Sequence, residues 1–169
     1  MKTATRIFFV TAAALMVATL PVLAQPASVN ASLSVSAVVS ARAKLTLSIG
    51  AISFPDADPD LTPTINASEG PVTVDTKTKT GTSGAVTLTV VAGADLTSGS
   101  DTIPAANLRW TAGGAGFTTP GAMSTTAQTL ASWTGSGTRS GVQSYSLNNS
   151  WAYATGNYTM TITYTLTAP

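Results

Sequence analysis

The sequence predicts an all-β protein, a sandwich of antiparallel sheets, and three observations carry that expectation. Apolar residues recur at every second position over long stretches, which is the period of a half-buried strand and not of a helix. Threonine and serine fill the intervening positions, while charged residues make up only 9% of the chain. Turn-forming Gly, Pro, Ser and Asp separate the alternating runs at intervals that suit about seven to nine short strands.

The chain opens with Lys2 and Arg6, an apolar run from Ile7 to Leu20, Pro21, and then Val22-Leu23-Ala24. A basic head, a short apolar stretch and small residues at its end predict a secretory signal peptide, residues 1–24. The run falls short of the ~20 residues that span a bilayer, so no membrane insertion is expected after cleavage. Cleavage there removes two of the eight basic residues and leaves six against seven acids, a net charge of −1.

Alternation then begins at once. Ala27, Val29, Ala31, Leu33, Val35 and Ala37 alternate with Ser28, Asn30, Ser32, Ser34 and Ser36, and the phase continues through Val39, Ala41, Ala43, Leu45, Leu47 and Ile49. At ~3.3 Å per residue that run is ~75 Å long. A domain of this size is only about 30–40 Å across. No Gly, Pro or Asn-Gly turn interrupts Ala27 to Ser48. Either the run bends near Ala37–Ser40, or its first half reaches into another molecule.

Shorter strands follow over 51–54, 72–79, 85–92, 107–111, 128–133 and 141–147, with loops at 55–71, 93–106, 112–127 and 134–140. The last strand is the clearest. Tyr158, Met160, Ile162, Tyr164 and Leu166 alternate with Thr159, Thr161, Thr163, Thr165 and Thr167 behind the turn residue Gly156.

The composition excludes several chemistries. There is no histidine and no cysteine, so neither a Ser-His-Asp nor a Cys-His arrangement can be built. Zinc sites and disulfides go with them. No phosphate-binding glycine loop with its lysine occurs, and the mature charge offers no basic stripe to a nucleic acid. No cofactor and no catalytic residue are expected. Asp56, Asp58 and Asp60 sit at alternate positions, as in part of a calcium loop, but Pro59 intrudes and a polar turn accounts for them better. Trp110, Trp133 and Trp151, with Tyr145 and Tyr153, read as core or as a sugar-binding platform, and alternation favours core.

The two ends carry a resemblance. The segment ASVNASLSVSAVVSARAKLTLSIGAISFPD (27–56) resembles the mature N-terminus of archaic chaperone–usher pilins and spore coat protein U-like domains, with Ile52-Ser53-Phe54 matching their aliphatic-x-Phe step. The end, GNYTMTITYTLTAP (156–169), is similar to the pilin C-terminal strand. The chain has Ala43-Lys44-Leu45 where those families commonly place a cysteine. The resemblance implies an Ig-like sandwich (39–169) with an open groove beside Tyr158, Met160, Ile162, Tyr164 and Leu166. It also implies an extended N-terminal donor strand (25–38) that fills the groove of the next subunit through Ala27, Val29, Ala31, Leu33, Val35 and Ala37. The expected protein is a non-enzymatic structural subunit of an extracellular filament or pilus on the cell surface, a homopolymer, with a periplasmic chaperone and outer-membrane usher as further partners. The alternative is a monomeric secreted surface or carbohydrate-binding module.

Overall fold

A computed structural model describes residues 29–113 and 121–169. The expected signal segment, residues 1–24, and the first alternating position, Ala27, lie outside the described residues. The chain divides into two compact units, Met1–Ala37 and Val38–Pro169. In the first, residues 29–37 are exposed and belong to no strand.

The second unit is all-β and antiparallel. Its strands are β1 (Arg42–Leu47), β2 (Thr64–Asn66), β3 (Val72–Lys79), β4 (Ala85–Ala92), β5 (Leu96–Ser98), β6 (Asp101–Ile103), β7 (Leu108–Gly113), β8 (Gly121–Ala122), β9 (Gln128–Thr134), β10 (Gly137–Asn148) and β11 (Ile162–Thr167). One sheet runs β1-β3-β10-β7-β8, with β2 beside the far end of β10, and a second runs β11-β4-β9. β5 and β6 form a small hairpin. The only helical turn among the described residues is a 3₁₀ turn at Ala105–Asn107.

Period-two sequence becomes two-faced structure here. Val72, Val74, Thr76 and Thr78 of β3 are buried, and so are Val86, Leu88, Val90 and Ala92 of β4, while the residues between them face outward. These inner faces from both sheets meet Leu130, Trp133, Tyr145 and Leu147 in one apolar cluster. Two antiparallel layers closing on a shared core is the arrangement of a sandwich. The corner between β9 and β10 carries the chain from one sheet to the other. Gly135 turns it at φ +79°, where a side chain would be strained.

Several expectations needed correction. Residues 51–54 alternate in burial but enter no ladder, because Ser53 bonds elsewhere: its N–H donates to Glu69 and its carbonyl accepts from Ser68. The expected loops contain β2, β5, β6 and β8, and β10 begins at Gly137 instead of 141. The ladder at the N-terminal end starts only at Arg42, so among the described residues 29–41 of the alternating run belong to no strand.

Candidate strand-acceptor groove

β1 and β11 lie next to each other across the two layers, and each is an edge: β1 bonds only β3, and β11 bonds only β4. Their burial differs from that of the central strands. Leu45, Leu47 and Ile49 on one side, and Tyr158, Met160, Ile162, Tyr164, Leu166 and Ala168 on the other, are only half-buried. Ile52 and Phe54 continue this half-covered face. The five C-terminal residues singled out by the sequence, Tyr158 to Leu166, are thus brought into one row with their inner faces incompletely covered.

Where β11 begins, beside Ile52 and Phe54, lies a cavity of about 1130 Å³. Ile52, Phe54, Leu108, Leu147, Met160 and Ile162 supply its apolar lining. The β11 edge has none of the usual protections against pairing with another strand. Its outward residues are Thr163, Thr165 and Thr167, with no charge, proline or bulge from Ile162 to Thr167.

Further along the row, Tyr164 belongs to a polar knot that sequence reasoning missed. The Tyr164 hydroxyl donates to Gln143 Oε1 at 2.6 Å, the Tyr145 hydroxyl donates to the same oxygen at 3.3 Å, and the two hydroxyls touch each other. Gln143 is fully buried on β10, in phase with Tyr145 and Leu147. A Gln in the inward phase was the available signal. Burial pushes both phenols up from their ordinary value. The folded protein therefore holds these protons more tightly than the unfolded chain. Their contribution to stability is intact below about pH 10 and is lost as pH rises past it. Urea midpoints measured across that range should fall for the wild type. The alkaline decline should be shallower in a Tyr145→Phe, Tyr164→Phe double variant.

The described positions of the expected donor strand are bare. Val29 is 91%, Leu33 89% and Val35 82% exposed, and Ala31 and Ala37 are exposed too. Singly exposed apolar residues are ordinary, but three large ones in one strand phase are not.

Asp56, Asp58 and Asp60 serve the turn after Phe54. Asp58 Oδ1 accepts the Asp60 N–H at 2.9 Å, the Asp58 carbonyl accepts from Leu61 and Thr62, and Asp60 accepts the Trp151 indole N–H at 3.2 Å. Asn149 ties this loop to the end of β10 through Ala57 and Thr62. Among the described residues no three acidic side chains converge as metal ligands. Nearby, the Glu69 carboxyl is held below its ordinary range by the Ser53 hydroxyl and then the Ser53 N–H. Trp110 and Trp133 are core residues, whereas Trp151 is 71% exposed. No helix among the described residues is long and apolar enough to cross a membrane.

No protein-family model and no curated protein matches the chain.

Proposed function

We propose that the protein is the repeating subunit of an extracellular filament, an Ig-like sandwich short of one strand that receives residues 27–37 of the next copy. The observation that carries this reading is the pairing of two unfinished features in one chain. One is an apolar row from Tyr158 to Ala168 along an unprotected edge. The other is an alternating segment of the same length, 27–37, whose described positions, 29–37, are exposed and in no ladder. Inserted as a strand, the segment would pair with the free edges, and its large side chains would enter the groove. Burying Val29, Leu33 and Val35 is worth ~1.5–3 kcal/mol each. A contact that joins one end of a molecule to a different surface of the next does not close, and so it propagates.

The resemblance at the two ends supports the same reading, and with it export through a signal peptide and delivery by a chaperone and usher. The proposed role is structural and involves no catalysis. Electron microscopy of material sheared from the cell surface tests it. Thin filaments containing this protein are expected, and dispersed globular particles in that fraction would sink the proposal.

Trp151 favours a second reading, carbohydrate binding, because it stands exposed beside the acidic loop. On that reading Trp151→Ala abolishes retention on immobilised glycans. On the filament reading the same variant still assembles.

A further inference from the structure

The domain has a positive and a negative end. Arg42 and Lys44 of β1 stand directly opposite Lys79 and Lys77 of β3, so each cation faces another cation across the ladder. All four are exposed, and they surround a hollow of about 660 Å³ together with Ser136 and Thr138. Asp75 lies on the same face, two positions further along β3. Like charges placed directly opposite weaken a sheet, so the fold gains nothing from this cluster by itself.

At the other end of β10, ~35 Å away by strand length, the surface is acidic. Asp56, Asp58 and Asp60 are exposed there, on a loop that Asn149 holds through the Ala57 carbonyl and Trp151 through Asp60, and exposed Glu69 sits at the foot of β3. Arg109, near the start of β7, is the basic residue at that end.

Resting on the filament reading, we propose that the cationic end formed by Arg42, Lys44, Lys77 and Lys79 docks on the Asp56–Asp60 loop of the neighbouring copy. Connectivity selects this pairing. The N-terminal segment leads directly into β1 at Arg42, so the cationic end of each subunit follows its own donor strand to wherever that strand leaves the neighbour's groove. The groove has two mouths. One lies where β11 ends and β1 begins, beside the neighbour's own cations. The other lies beside Phe54 and the acidic loop. A strand that leaves by the first mouth brings four cations against four. A strand that leaves by the second brings cations onto carboxylates, and it must run antiparallel to β11. Opposite charge attracts the incoming subunit and like charge rejects the reverse insertion, so the clamp sets rate and direction.

The test follows assembly of the protein, expressed from its full chain and refolded from denaturant, by light scattering and negative-stain microscopy. Wild-type assembly is expected to slow as salt rises from ~0.01 to ~1 M. Lys77→Glu with Lys79→Glu should slow it about tenfold or more at low salt, and so should Asp56→Lys with Asp58→Lys. All four changes in one chain should restore the rate. Melting temperatures serve as the folding control, and the Lys77, Lys79 variant should melt no lower than the wild type because its cross-strand repulsion is relieved. If the wild type assembles and neither reversal changes its rate, the clamp is wrong while the filament stands. That is also the result expected if the cations serve an anionic glycan or lipid. Slowing without rescue by the combined variant overturns the pairing. A wild type that forms no polymer at any salt overturns the filament reading itself.

Discussion

Replacing Leu33 by aspartate is expected to abolish filament formation and leave the domain's thermal transition where it was. The side chain is 89% exposed, so the isolated fold has little to lose. On the filament reading this side chain enters an apolar groove, where a carboxylate would be desolvated without a partner. Losing the leucine costs ~1.5–3 kcal/mol of burial. The uncompensated charge adds several kcal/mol more. Together they weaken docking by more than a hundredfold. Size-exclusion chromatography and microscopy read the assembly, and circular dichroism reads the fold. A variant that still polymerises, or one that unfolds, would show that residues 27–37 are not an exchanged strand.

The complementary experiment supplies the strand in cis. A chain with residues 27–37 moved behind Pro169 on a short Gly-Ser linker is expected to be monomeric. It should melt roughly 10–20 °C above the refolded wild-type monomer, from the burial of three large side chains and the size scaling of melting temperatures. β11 ends beside the start of β1, so a strand returning along the free edge needs only a hairpin connection. The half-buried row from Tyr158 to Ala168 would then be covered on its open side, as Val86, Leu88 and Val90 already are. An unchanged melting temperature would mean that the groove does not take this strand.

What the sequence revealed of this architecture depended on strand length. β3 and β4 fall on the expected 72–79 and 85–92, because eight alternating positions leave no doubt about the period. The strands of two or three residues, β2, β5, β6 and β8, hold too few positions to display any period, and they hid in segments rich in Gly, Pro and Asp. β10 began early for a related reason: Gly137, Thr138 and Ser140 read as loop, yet β3 supplies a ladder for them. The row on β11 was legible as alternation. That it would be left half-covered was not, because coverage is a property of the neighbouring strands. The same holds for Gln143, whose polarity makes sense only with Tyr164 reaching across from the other sheet. The charge segregation also needed the fold, since Arg42 and Lys79 are distant in sequence and become neighbours only through the β1–β3 register.

The placement of the basic residues has one more consequence. Arg42 and Lys44 lie in β1, Lys77 and Lys79 in β3, Arg109 in β7 and Arg139 in β10. Every lysine and arginine after residue 24 is therefore held in a ladder, and neither the segment 25–41 nor any of the Gly- and Ser-rich loops contains one. A trypsin-like protease needs an extended, accessible stretch of chain around its cleavage site, and here it finds one only when a strand is pulled from its sheet. Digestion is then governed by how often a strand leaves its ladder, most readily the edge strand β1, and not by the mobility of the loops.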